Sequence, residues 1–167
     1  MNYKKKAQDI YNRMIDCGIA TSEQIEGCSE EEVLLLETKY NLCLPSSYKT
    51  FLRIFGHKCG FFMEDIDIFY DEIVDETNFV MKKVFTGKDN PSMLPKNIFV
   101  FAARYGEQFW FFDVDLDEED PPYYHYYWDD DEEVIKYDES MWLFIESELI
   151  MMEKMRDELG VKKLKGI

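Results

Sequence analysis

Ile98-Phe99-Val100-Phe101-Ala102 and Gln108-Phe109-Trp110-Phe111-Phe112 are two aromatic and β-branched runs, separated by residues that include Tyr105-Gly106-Glu107. Side chains of this kind favour a pleated surface, and the short polar link between the runs predicts a β-hairpin. Tyr123 to Trp128 reads as a third strand, and the stretch around Val134 to Tyr137 as a short fourth. The sequence on either side of this block carries mainly helical periodicity, so the expected class is α+β. N-terminal helices and a long C-terminal helix would pack around an antiparallel sheet.

The helical segments are well punctuated. Tyr3, Ala7, Ile10, Tyr11 and Met14 recur at helical spacing, and Gly18 follows as a stop. Ser29 and Glu32 have the form of a capping box, which predicts a helix through Tyr40 with Asn41 as its left-handed end. Leu44 to Gly56 contains a complete helix in miniature. Pro45 suits its first turn, Ser46 or Ser47 can cap it, and Tyr48, Phe51, Leu52 and Phe55 form one apolar stripe. Gly56 is expected to close it in the left-handed conformation. Beyond it, His57 to Gly60 reads as a loop, Phe61 to Phe69 as one or two short strands, and Glu72 to Phe85 as a helix. Ser140 is expected to cap the final helix, with Trp142, Ile145, Leu149 and Met152 on one stripe and Gly160 as its stop.

The 167 residues suit one domain, and no repeat or long linker divides them. Their formal charge of −16 is concentrated: thirteen acidic residues and one lysine, Lys136, lie between Asp113 and Glu139. Such a surface repels the phosphate backbone and anionic membranes, so direct nucleic-acid and membrane binding are not expected, and a basic partner is. Acidic loops are also commonly just solvated. Asp113, Asp115 and Asp117 invite comparison with a calcium loop, but Glu118 and Tyr124 stand where that motif requires glycine and a bidentate glutamate. Cys17, Cys28, Cys43 and Cys59 include no CxxC pair and read as reduced, packed thiols of a cytoplasmic protein. His57 and Cys59 are two candidate ligands without a second pair, which does not make a zinc site. His125, alternating with tyrosines, reads as a residue of one strand face. Phosphate-loop, serine-hydrolase and dinucleotide signatures are missing, so no enzyme activity, cofactor or metal is expected.

The acidic helix Glu30 to Tyr40, followed by Leu44-Pro45, Tyr48-Lys49, Phe51-Leu52 and Gly56, resembles the core of the SUKH superfamily. Phe109 to Asp113, Pro121-Pro122 and the helix led by Ser140 also match its order of elements. That superfamily comprises bacterial immunity proteins and a yeast cell-wall regulator. The chain departs from the pattern at Ser47, commonly acidic in the family, and after Gly56, where a second glycine is usual. The resemblance implies one α+β domain over residues 1–167 and a non-enzymatic role. The leading expectation is an immunity protein that neutralises a cognate toxin, a basic nuclease being the partner that fits the charge. The alternative is a regulatory interaction module like the eukaryotic members. Asp115, Asp117, Glu118, Asp120, Tyr124, Tyr126, Trp128, Asp129, Asp130 and Asp131 are the expected contact residues, with aromatic rings set inside an acidic rim.

Overall fold

The computed structural model describes residues 2–74, 95, 97–116, 118–127, 134–137 and 139–158. Helix α1 (Tyr3–Asp16) is capped by Asn2, whose Oδ1 accepts from the Lys5 amide at 3.1 Å. It buries Ala7, Ile10 and Met14, the stripe expected from the spacing. Helix α2 (Glu30–Tyr40) carries the capping box in full: the Ser29 amide donates to Glu32 Oε2 at 2.7 Å and the Glu32 amide to Ser29 Oγ at 3.2 Å. Asn41 ends it at φ 53°.

Helix α3 (Ser46–Phe55) buries Tyr48, Phe51, Leu52 and Phe55 as expected, but both of its ends are built differently. Pro45 is the cap residue and no side chain caps the helix; the Ser47 amide donates instead to the carbonyl of Glu119, at 2.9 Å. Gly56 is right-handed, at φ −63°. It is glycine for room: a Cβ there would sit 2.4 Å from Cys28 Sγ and 2.4 Å from the Leu52 carbonyl oxygen.

Two further expectations fail between α1 and the main sheet. Strand β1 (Ile25–Glu26) pairs antiparallel with β2 (Lys58–Cys59), so the segment after Gly56 is a paired strand as well as a turn. Phe61 to Phe69 forms no strand; it runs through turns, touching the sheet through a bridge between Asp67 and Ala103. The reason is that its apolar residues Phe62, Met63, Ile66 and Ile68 are all buried, with Met63 at φ 55°, so they fill space as a coiled plug without alternating across a pleat. One helical turn, α4 (Tyr70–Glu72), follows. The helix expected from Glu72 to Phe85 lies, from residue 75 onward, outside the described residues.

Strands β3 (Ile98–Arg104), β4 (Gln108–Asp113), β5 (Tyr123–Tyr127) and β6 (Val134–Tyr137) form an antiparallel meander in chain order. The hairpin turns at Tyr105 and Gly106, both with positive φ, closed by the Glu107 amide donating to the Arg104 carbonyl at 3.1 Å. That is the turn sense that matches strand twist. The register shifts between Val100 and Ala102, and the extra residue puts Phe101 and Ala102 both into the main core.

Helix α5 (Met141–Glu158) begins at Ser140, whose Oγ accepts from the Trp142 amide at 3.1 Å. The expected stop at Gly160 is outside the described residues. Helices α3 and α5 lie on one face of the sheet. Tyr48 packs against Phe99, Phe101 and Phe112, Phe51 against Trp142, and Phe144 against Phe101, Trp110 and Tyr123. Helix α1 is held to α5 by Lys6 and Arg13 on Glu146, and by Arg13 on Glu153 at 2.8 Å. The opposite face of the sheet is buried too, with Val100, Phe109, Phe111 and Tyr126 in a second cluster. Near-continuous apolar runs such as Phe109 to Phe112 are what covering both faces requires. The result is a single α+β domain with a long C-terminal helix, as the sequence predicts.

A candidate interaction surface at the start of α3

The acidic connection after β4 folds back onto the start of α3. Asp113 Oδ1 accepts from the Asp115 amide at 3.1 Å, and Asp115 Oδ1 from Asn97 Nδ2 at 2.7 Å. A short 3-10 turn (Val114–Leu116) then leads into the segment whose Glu119 carbonyl receives the Ser47 amide. The two segments border an open cleft of about 150 Å³, lined on one side by Leu44, Pro45 and Lys49 and on the other by Asp113, Glu118 and Glu119. Lys49 is turned to the α2 side of this cleft, with Nζ 3.1 Å from Glu37 Oε1. Glu37 Oε1 also accepts from the Leu44 amide at 2.8 Å, so Lys49 is partly neutralised where it stands.

The expected contact residues fall into four groups. Asp115 and Glu118 are exposed, and Glu118 lines this cleft. Asp120 is half-buried and has a structural job: its Oδ1 accepts from Ser140 Oγ at 2.9 Å, which orients the hydroxyl that caps α5. Tyr124 is half-buried, its ring stacked on Phe111 at 5.4 Å. Tyr126 corrects the expectation, because it is 1% exposed, stacked on Phe109 within the second cluster, and has no surface to offer. Alternation does put Tyr124 and Tyr126 on one face, but that face is covered. Asp117, Trp128, Asp129, Asp130 and Asp131 lie outside the described residues.

Sequence reasoning missed a polar cluster on the helix-bearing face. Arg104 lies over the Trp110 ring at 5.7 Å, with Nε 3.1 Å from Asp65 Oδ2 and Nη2 3.3 Å from Glu148 Oε2. His125 stacks on the same indole, 4.7 Å from Trp110 and nearly parallel to it. Burial, and then the Arg104 charge, depress the His125 pKa below its ordinary 6.5, while burial raises that of Glu148. The signal available in sequence was a lone arginine at the end of a strand otherwise filled with apolar residues.

The His125 shift has a sign that can be checked. A histidine depressed in the fold binds its proton more readily when unfolded, so its contribution is intact above pH 6.5 and is lost as pH falls toward the folded-state pKa. His125→Phe keeps the ring stack and removes the titration. Urea unfolding across this pH range should therefore show a shallower acid-side loss of stability in His125→Phe than in the unmodified chain; parallel curves would contradict the assignment.

The cysteines divide as well. Cys28 and Cys59 are buried and Cys17 is half-buried, but Cys43 is exposed, against the expectation of four packed thiols. Cys59 Sγ faces Met14 Sδ at 3.1 Å inside the core, away from His57.

These elements match a known family over most of their length. The model of the SMI1 / KNR4 family (SUKH-1) matches residues 27–147, from the residue before Cys28 to the middle of α5. The chain belongs to the SMI1 / KNR4 family (SUKH-1). No curated protein and no solved structure matches it. The matched span takes in the capping box, the Leu44–Gly56 segment, the whole four-stranded meander and the acidic connection, so the cleft beside α3 is formed entirely within the SUKH-1 region. No helix among the described residues is long and apolar enough to cross a membrane.

Proposed function

We propose that this SUKH-1 protein is an immunity protein that binds a cognate bacterial toxin in the cytoplasm and blocks it without chemistry of its own. The observation that carries the reading is the placement of exposed Glu118 against the start of α3, with exposed Asp115 in the same acidic connection, in a chain whose negative charge is gathered between Asp113 and Glu139. A basic toxin, a nuclease above all, presents a surface built to hold phosphates, and clustered carboxylates compete for it by the same field. Asp115, Asp117, Glu118, Asp129, Asp130 and Asp131 would supply the charge of the contact, with Tyr124 and Trp128 contributing ring area. Asp120 would act indirectly, by holding the loop to α5, and Tyr126 by packing the sheet beneath.

The test is growth protection. The toxin encoded beside this gene is expressed with and without this chain; rescue by the unmodified chain, reduced by Asp115→Lys combined with Glu118→Lys, supports the reading. A neighbouring toxin that kills equally in the presence of folded, unmodified chain overturns it. A regulatory docking module, the alternative within the family, predicts a neighbouring gene product that binds the chain and is not toxic when expressed alone.

A further inference from the structure

Cys28 and Glu32, four residues apart at the start of α2, meet His57 from beyond α3, and their Sγ, carboxylate oxygen and ring nitrogen all lie within 4.8 Å of one another. We propose that these three side chains form a binding site for a thiophilic divalent cation of the zinc type.

Each ligand is positioned by an independent backbone tie. The Cys28 amide donates to the Leu52 carbonyl at the end of α3, at 2.8 Å, and its Sγ fills the space that glycine leaves at position 56. Glu32 is fixed by the capping box: Oε2 accepts from the Ser29 amide at 2.7 Å and from Ser29 Oγ at 2.9 Å, which leaves Oε1 facing His57 Nε2 at 3.0 Å. The His57 amide donates to the Glu26 carbonyl at 2.9 Å, and its ring rests edge-on against Tyr70 at 5.6 Å. Ser29 thus stands to Glu32 as an outer partner stands to a ligating carboxylate.

The donor set is one that zinc uses, thiolate, imidazole and carboxylate, and three protein ligands leave a fourth position for water. Tetrahedral coordination at ordinary zinc distances needs ligand atoms about 3.3–3.8 Å apart. The present separations, from 3.0 Å up to no more than 4.8 Å, reach that with side-chain adjustment alone. His57 and Glu32 keep 23% and 33% of their side-chain surface, so the site has a way in, while Cys28 forms its buried floor.

A bound cation would take the Cys28 sulfur as thiolate and release its proton to solvent. A His57–Glu32 hydrogen bond beside a packed thiol is the competing account, and it predicts no cation binding.

The experiment is a cobalt(II) titration of the reduced, metal-free full chain, followed by displacement with zinc. One equivalent of cobalt should give tetrahedral visible bands and a sulfur-to-metal charge-transfer band, both abolished by zinc. Cys28→Ser should remove the charge-transfer band, and His57→Gln should weaken binding by more than about 100-fold, beyond the loss usual for an outer partner. Cys43→Ser, at the exposed cysteine, should change nothing. Circular dichroism confirms that each variant is folded, and His57→Gln, at a partly exposed side chain, keeps the test decisive if Cys28→Ser does not fold. No charge-transfer band, a band lost in Cys43→Ser, or binding unchanged in His57→Gln would each overturn the site.

Discussion

Tyr48→Ala should cost about 3–5 kcal/mol, while Tyr48→Phe should be neutral or stabilise by up to about 1 kcal/mol. The ring is fully buried where α3 meets the sheet, against Phe51, Phe99, Phe101 and Phe112, so its loss opens a cavity at the centre of the core. The hydroxyl is a different matter. It is buried without a hydrogen-bond partner among the described residues, and burial drives its pKa well above 10.0. Deleting it therefore removes a desolvation cost and no bond. Urea unfolding of the two variants checks the pair; a Tyr48→Phe loss as large as that of Tyr48→Ala would show that the hydroxyl, and not the ring, holds this position.

The second large effect is expected at Gly27. A Cβ there would lie 2.0 Å from the Arg53 carbonyl oxygen and 2.3 Å from its carbon, which is backbone at the end of α3 and cannot swing aside. Gly27→Ala should cost at least the roughly 1–3 kcal/mol of ordinary overpacking, and should loosen the β1–β2 pair that Gly27 adjoins. Gly106→Ala is the contrast. Nothing stands within 4 Å of that Cβ, so its cost comes from the φ of +69° alone and should be about 1 kcal/mol. Thermal unfolding that ranked Gly106→Ala as the more damaging would contradict the packing account.

What the sequence made legible is what local spacing encodes. The Ser29–Glu32 box, Asn41, the stripe from Tyr48 to Phe55 and the order of four strands depend on neighbours within a few residues, and all are in place. What it concealed depends on residues far apart in the chain. Gly56 does end α3, but in the right-handed conformation and with its missing Cβ making room for Cys28; Ser47 looks like a cap but its amide is satisfied by Glu119. Tyr126 has the alternation of an outward ring, yet both sheet faces are covered. Cys59 is nearer to His57 in sequence, whereas Cys28 is the thiol that meets it. The acidic connection was visible as charge, but its return to the start of α3 required the Glu119 carbonyl to be placed.

The central claim is that this SUKH-1 domain engages a basic partner through its acidic connection, and association kinetics test it most directly. Purified chain and the toxin encoded beside it are mixed at low and moderate salt, with Asp115→Lys, Glu118→Lys, Asp129→Lys and Asp130→Lys combined in the variant. Electrostatic steering accounts for a tenfold or larger share of such rates, so the variant should associate at least about tenfold more slowly at low salt, and the difference should shrink as salt rises. A folded variant that associates at the unmodified rate, with the same affinity and the same salt dependence, would contradict the claim.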